Sequence, residues 1–252
     1  MTGLKINEQK DAVLPDTKIW GAEQVIEWTV DRFGHGAALC TSFQADGMVI
    51  LDMAMQAGID LRVFTIDTGR LHPETYQLID RVRERYGIQV EVYSPDQNEL
   101  NDFTLVNGVN PFYNSVSARI ACCEIRKANP LNKVLSGLDA WITGVRKDQS
   151  ETRANVDKLE IDNNHDGILK VNPLADWDED QVWDYIKKND VPYSALYDQG
   201  YPSIGCAPCT RPLEMGEDSR AGRWWWELDT PKECTIHFGA ELLRAGKTQS
   251  VD

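Results

Sequence analysis

The stretch from Ala37 to Gln56 limits the fold more than any other part of the chain. Ala37-Ala38-Leu39-Cys40-Thr41-Ser42 is a short apolar run preceded by Gly34 and Gly36, which predicts a buried strand. Ser42-Phe43-Gln44-Ala45-Asp46-Gly47 follows as a loop, and Met48 to Gln56 as an apolar helix. The first N–H groups of such a helix have no intrahelical partner, and its dipole favours an anion. Strand, small polar loop and helix therefore predict a phosphate-binding corner.

The alternation continues along the chain. Helical spacing at Ala22, Val25, Ile26, Thr29 and Val30 predicts a helix over 22–33. Strands are predicted at 61–66, 88–93 and 140–145, with a helix over 74–86 and a helical region around Cys122-Cys123. Two short strands, 158–161 and 168–171, flank the turn at 163–167, and an amphipathic helix spans 178–189 with Asp176 or Asp178 as its cap. Strands alternating with helices predict an α/β fold, a mostly parallel sheet with helices on both faces. Ligands in such sheets bind beyond the C-terminal ends of the strands, so the loops 42–47, 67–73 and 146–153 are expected to converge. The simplest organisation is a polar lead-in over 1–17, one α/β domain over 18–225, and a C-terminal extension over 226–252.

Composition excludes several classes. A net charge of −14 on 252 residues argues against a nucleic-acid binder, while leaving room for a small anion in a local cationic pocket. No apolar run approaches the roughly 20 residues that span a bilayer. Residues 1–16 are polar without an apolar h-region, so no signal peptide is expected and the expected compartment is the cytoplasm. Six cysteines in a reducing compartment point to metal binding or catalysis rather than disulfides. The sequence leaves homo-oligomerisation open.

The cysteines fall into a pattern: the doublet Cys122-Cys123, the pair Cys206-Ala207-Pro208-Cys209, and Cys234 near the end. Cys-x-x-Cys alone fits zinc, a redox dithiol or a cluster. Adjacent side chains on a helix diverge by about 100°, so the doublet reaches one small ion only with strain. A cuboidal cluster offers each sulfur its own iron, which favours a 4Fe–4S cluster on Cys122, Cys123, Cys206 and Cys209 over zinc. Arg126, Lys127, Arg211, Arg220 and Arg223 stand close to these cysteines in sequence. Such a local cationic surplus in an acidic chain suggests an anionic ligand. Any single arginine is as readily a surface ion pair. Cys234 has His237 three residues on, and nearby cations favour a reactive thiolate. Cys40, in an apolar strand, reads as structural. The triplet Trp224-Trp225-Trp226 reads mainly as packing.

Six ordered motifs then match a known family. They are Ser42-Phe43-Gln44-Ala45-Asp46, Asp67 to Thr75, Cys122-Cys123-x-x-Arg126-Lys127, Gly144 to Ser150, Gly205-Cys206-x-x-Cys209 and Glu233-Cys234-x-x-His237. Together, over about residues 20–240, they resemble the assimilatory adenylyl-sulfate and phosphoadenylyl-sulfate reductase family. The resemblance implies an adenine nucleotide α-hydrolase-like (PP-loop) fold. It implies reduction of adenosine 5′-phosphosulfate (APS) to sulfite and AMP in sulfate assimilation and cysteine biosynthesis, with thioredoxin as reductant. The four paired cysteines are those of cluster-bearing members and favour APS over its 3′-phosphorylated analogue, PAPS; a PAPS or dual-substrate enzyme is the alternative.

In this family reading Cys234 is the nucleophile on a mobile tail over 226–252, forming an S-sulfocysteine. Lys127, Arg220, Arg223 and His237 face the sulfonate side, Ser42, Phe43, Gln44 and Asp46 the phosphate and ribose, and Ile66 with Arg146 the adenosine. Phe43 and Gln44 stand where ATP-splitting relatives carry a Gly-Gly loop, which favours one phosphate plus a sulfonate. Thr235 and Ile236 replace the usual Gly-Leu of the tail motif, removing a permissive φ > 0 position. A PP-loop tRNA sulfur transferase, or a cluster-bearing redox sensor, is a competing reading. The acidic charge and missing Gly-Gly loop count against the first, and the phosphate loop and Cys-x-x-His against the second.

Overall fold

The computed structural model describes residues 14–227. Helices α1 (Ala22–Phe33), α2 (Ala45–Gln56), α3 (Pro73–Tyr86), α4 (Gln97–Asn107), α5 (Val116–Cys123), α6 (Asn129–Leu135) and α7 (Glu179–Asn189) alternate with strands β1 (Ala37–Cys40), β2 (Arg62–Ile66), β3 (Val90–Tyr93), β4 (Ala140–Ile142), β5 (Leu159–Asp162) and β6 (Ile168–Val171). Among the described residues the strands form one six-stranded sheet, ordered β3-β2-β1-β4-β6-β5. β1 pairs in parallel with β2 and β4, and β4 with β6. β5 closes one edge antiparallel to β6, as a hairpin allows. The predicted α/β class with a mostly parallel sheet is the one observed.

The predicted elements stand with shifted ends. Helix α2 begins at Ala45, three residues before its apolar run, because Asp46 and Gly47 belong to its first turn. β4 stops at Ile142, so Gly144 and Val145 belong to the following loop. Asp178, not Asp176, caps α7, accepting from Gln181 N at 2.8 Å. Helix α4 was not foreseen. None of its residues is buried, so it carries no core-facing periodicity to read. Among the described residues no helix is long and apolar enough to cross a membrane.

The chain clusters into two compact units. The first comprises residues 1–65, 74–91 and 134–194, and the second 66–73, 92–133 and 195–252. In the first unit α2 is buried along nearly its whole length, from Met48 to Ala54. Asp52 lies on that helix, 1% exposed, and its carboxylate accepts from Tyr86 Oη (2.7 Å), Tyr185 Oη (3.0 Å) and Gln56 Nε2 (3.2 Å). One carboxylate thus joins α2, α3 and α7. Burial, followed by the hydrogen bond to Asp52, raises both tyrosine pKa values, which keeps the hydroxyls protonated as donors. At the hairpin, Asp162 Oδ2 lies 2.8 Å from His165 Nδ1. Burial alone would raise the Asp162 carboxyl, but His165, Lys170 and the Asn164 N–H outweigh it and hold it below 3.8.

Two predictions follow from these acids. Asp52→Ala leaves two tyrosine hydroxyls without their acceptor and is expected to cost about 2 kcal/mol, read from the denaturant midpoint; Asp52→Asn, which keeps an acceptor, should cost less. The depressed Asp162 contributes stability that is present above its unfolded value and lost as pH falls through its folded pKa. Wild type should therefore lose stability below about pH 3.8 more steeply than Asp162→Asn, measured by thermal melting across pH 2–6.

Candidate active site

The corner predicted to bind phosphate lies in the first unit. β1 delivers Thr41, whose N–H donates to Phe64 O at 3.0 Å and whose Oγ1 accepts from Phe43 N at 2.9 Å. Phe43 has φ 58°, the left-handed region that glycine favours, yet its side chain is only 1% exposed. The loop keeps a glycine-like backbone while the phenyl ring is buried in the core. Gln44 is the N-cap of α2, makes no side-chain capping bond, and donates from Nε2 to Ser42 Oγ at 2.9 Å. The Gln44 side chain is thus turned to Ser42 and does not cap the helix.

Close approach fixes this corner. A Cβ on Gly47 would lie 2.2 Å from Thr41 Oγ1, and one on Gly144 would lie 2.7 Å from Asp46 Cβ. The loops after β1 and β4 meet through side chains as well. Arg146, buried, donates from Nε to Asp46 Oδ1 (2.5 Å) and from Nη1 to Asp148 Oδ1 (2.5 Å) and Trp177 O (3.3 Å). Gln149 Nε2 donates to Asp46 Oδ2 (3.2 Å) and Gly144 O (3.1 Å). Burial pushes the Asp46 carboxyl up, with the Arg146 guanidinium opposing. Arg146 is thus balanced by two carboxylates. It orients groups rather than supplying spare positive charge.

The four paired cysteines lie in the second unit. Ser115 caps α5, accepting from Ala118 N at 3.1 Å, and the doublet Cys122-Cys123 closes that helix. A π-helical turn, Glu124–Ala128, follows at once and carries Arg126 and Lys127. Pro130 explains it: proline in the first turn of α6 lacks an N–H and crowds the carbonyl four residues back, which a wider turn relieves. The Cys206–Cys209 pair sits on a 3₁₀ turn, with Cys209 N donating to Cys206 O at 2.9 Å. Ala207 N donates to Arg70 O (2.8 Å), and Thr68 Oγ1 lies 3.2 Å from Cys206 Sγ. Cys122 and Cys209 are buried, and Cys123 and Cys206 half-buried.

Cys122, Cys206 and Cys209 sense one another electrostatically. Burial raises the Cys122 thiol, with Arg126 opposing and Cys206 adding to the rise. Burial and then Cys206 push the Cys209 thiol up to about 12, against Arg223. Among the described residues no three His, Cys, Asp or Glu side chains are grouped as a site for a single metal ion. Arg126 donates from Nη1 to Thr68 O (2.8 Å), and Arg223 from Nη1 to Ser203 Oγ (3.3 Å). Both guanidiniums are buried, make no ion pair among the described residues, and each keeps an Nε without an acceptor there. Arg126 acts on the Cys122 thiol and Arg223 on the Cys209 thiol, and buried cations without an ion pair among the described residues suit an anionic group bound at those thiols.

The remaining predicted residues are placed as follows. Lys127 is half-buried on the π turn, and Arg220 half-exposed with its N–H donating to Asp218 Oδ1 at 2.9 Å. Ile66 ends β2, and the next residue's N–H donates to Tyr93 O at 2.8 Å. Arg211 is committed elsewhere, to Glu217 through bonds of 2.7 and 2.6 Å. Trp224 is packed, whereas Trp225 is 37% exposed. Cys234 and His237 lie outside the described residues.

Comparison with known proteins now adds to this geometry. The sequence family described as the phosphoadenosine phosphosulfate reductase domain matches residues 36–212. The chain belongs to that family. It is 49% identical over 198 residues to the adenosine 5′-phosphosulfate reductase of Burkholderia cepacia, covering 79% of each chain. It is 43% identical over 229 residues to that of Pseudomonas aeruginosa (strain LESB58), covering 88% of this chain and 84% of the relative. Among solved structures it is similar to the phosphoadenylyl-sulfate reductase from Candida auris in a phosphate complex. That match has a TM-score of 0.65 and 31% identity, covering 77% of this chain and 91% of the other. The FMN adenylyltransferase of Candida glabrata in complex with ATP shares the fold alone, at TM-score 0.54 and 14% identity, over 82% of this chain and 71% of the other. This chain is an enzyme of the reductase family on a PP-loop-like fold.

Sequence reasoning assigned no role to Arg119, Glu227, Thr68 or Gly205. Arg119 is an isolated charge in α5, and its partner Glu227 is 108 residues away, so no local pattern marks the pair. Gly205 is explained by contact: a Cβ there would lie 2.4 Å from Arg223 Nη2 and 2.6 Å from Cζ. Gly205→Ala is expected to cost about 1–3 kcal/mol by forcing a buried guanidinium off its seat. Gly137→Ala, whose new Cβ would meet only Val134 O at 3.6 Å, should change the melting midpoint little.

Proposed function

We propose that this chain reduces adenosine 5′-phosphosulfate to sulfite and AMP in sulfate assimilation, taking two electrons from thioredoxin. The observation that carries the reading is the pair of buried guanidiniums, Arg126 and Arg223, that act on the Cys122 and Cys209 thiols and have no ion pair among the described residues, in a chain whose 43–49% identical relatives are adenosine 5′-phosphosulfate reductases. We assign Cys122, Cys123, Cys206 and Cys209 as holders of one 4Fe–4S cluster. Its chemistry would be electrostatic, a fixed charge that orders the surrounding loops and biases the field at the sulfonate. We place the reaction in the reducing cytoplasm, where such thiols persist.

Cys234 acts as nucleophile in this scheme. Its thiolate attacks the sulfonate sulfur, the S–O bond to phosphate breaks, and AMP leaves with the electron pair. Phosphate is a good leaving group, so no strong general acid is required. The enzyme is left as S-sulfocysteine. A thioredoxin thiolate attacks Cys234 Sγ, releases sulfite and forms a mixed disulfide, which the second thioredoxin thiol resolves. Thioredoxin ends oxidised and Cys234 returns as a thiolate.

Thiolate and phosphosulfate repel, so fixed cations must offset the approach. Lys127, Arg220, Arg223 and His237 are assigned to the sulfonate. Ser42, Phe43, Gln44 and Asp46 are assigned to the phosphate and ribose, and Arg146 with the backbone at Ile66 to the adenosine. The glycine-like turn at Phe43 that leads into α2 supports the phosphate assignment, and the doubly balanced Arg146 supports an orienting role. The likeness to a phosphoadenylyl-sulfate reductase keeps the 3′-phosphorylated nucleotide as the second reading.

The test is anaerobic purification followed by parallel sulfite assays with both nucleotides and thioredoxin. Sulfite release is expected with the unphosphorylated nucleotide; release only with the 3′-phosphorylated one would reverse the substrate assignment. Without thioredoxin, intact mass should show one sulfonate on wild type and none on Cys234→Ser, which should keep its iron and bind AMP. An adduct on the serine variant would sink the scheme.

A further inference from the structure

Trp224 has φ 42°, in the left-handed region, where a bulky aromatic residue is an outlier that persists only when its surroundings fix it. The residue is 2% exposed, its N–H donates to Cys209 O (3.1 Å), and its carbonyl accepts from Glu227 N (2.9 Å). Two guanidiniums lie against its ring, those of Arg119 and Arg223, each 4.6 Å from the centroid. Arg119, on α5, is neutralised by Glu227, with Nε donating to Oε1 and Nη2 to Oε2, both at 2.9 Å. Arg223 has no such partner among the described residues. Its Nη1 donates to Ser203 Oγ at 3.3 Å, its Nε is buried without an acceptor there, and Gly205 makes room for it by having no Cβ.

We infer that Trp224 is a positioning residue: its ring, tied to α5 through the Arg119–Glu227 pair, keeps the Arg223 guanidinium in the place and orientation from which it meets the sulfonate. The inference rests on the assignment of Arg223 to the sulfonate. The three contacts on that guanidinium are unequal. A donor–acceptor distance of 3.3 Å lies beyond the usual range, so Ser203 holds it weakly. Gly205 offers space rather than attraction. The indole is then the main hold, since a cation–π contact strengthens when desolvated and tryptophan gives the strongest one. A ring holds a cation without neutralising it, so the charge stays available to an anion. A carboxylate in the same place would cancel it, as Glu227 cancels Arg119. That cancellation also removes the repulsion between two cations on one ring. Packing by itself gives no reason to place a tryptophan at φ 42°, where glycine or asparagine is less strained.

The experiment uses the full-length, cluster-loaded enzyme under anaerobic conditions, with AMP and ADP as unreactive probes. AMP lacks the second anionic group, and ADP carries a terminal phosphate where APS carries its sulfonate. Trp224→Leu removes the ring and Trp224→Phe keeps one. Trp224→Met, flexible and apolar, is the second ringless variant should Trp224→Leu not fold. Arg223→Met is the reference. The readouts are both dissociation constants by calorimetry, iron per chain and melting temperature. Trp224→Leu is expected to weaken ADP ~10-fold with AMP within about threefold and iron retained, and Trp224→Phe to restore ADP to within about threefold of wild type. Adding Trp224→Leu to Arg223→Met should weaken ADP by less than about twofold further, because one residue acts through the other. Wild-type ADP affinity in a folded ringless variant overturns the inference, and so does equal weakening of AMP and ADP, or no rescue by phenylalanine. Loss of iron in both ringless variants overturns it too, because the ring then only supports the cysteine turn. A preference for ADP over AMP that is absent in wild type, or that survives Arg223→Met, instead removes the assignment of Arg223, and the inference with it.

Discussion

Burying a guanidinium is the constraint on which the second unit depends. Arg119, Arg126 and Arg223 are each more than nine-tenths buried in a protein whose net charge is −14. A buried cation needs acceptors, an aromatic face or a compensating charge. Arg119 has all three, in Glu227 and Trp224. Arg223 has the Trp224 face and one hydroxyl, and Arg126 has one backbone carbonyl. The negative charge that would complete these last two is supplied, in the proposed enzyme, by thiolates when they bind a cluster. The raised pKa values of Cys122 and Cys209 express the same balance from the other side, since desolvation favours the neutral thiol.

The first unit solves the opposite problem. Its buried arginine, Arg146, is balanced by Asp46 and Asp148, and Asp46 is itself held in the first turn of α2. Such a site has little charge to spare for an anion. In the proposed enzyme its phosphate would be held by backbone amides at the start of α2, and Gly47 and Gly144 let the β1 and β4 loops close on each other without a Cβ between them.

Much of this was legible in the sequence, and the parts that were not share a cause. Strands and helices with a buried face announced themselves by periodicity, as at α1 and β6, whose limits agree with the spacing. The cysteine pattern was legible because thiol spacing is local. Helix α4 was invisible because it buries nothing. The Arg119–Glu227 pair was invisible because its members are 108 residues apart and each looks like a surface charge in its own segment. The role of Gly205 needed the guanidinium that sits on it. Three-dimensional neighbours of charged groups are what a single sequence conceals.

Phe43 stands where the sequence reading expects less room for backbone amides than a glycine loop gives. The backbone at Phe43 nevertheless keeps φ 58°, and the ring is 1% exposed. A non-glycine residue in that region is strained by roughly 1–2 kcal/mol, an amount that burying a phenyl ring can offset. The ring therefore acts as a pin that holds the loop to the core in a glycine-like shape. In the proposed enzyme, selectivity for a nucleotide would then rest on which amides the loop presents rather than on steric bulk at the ligand.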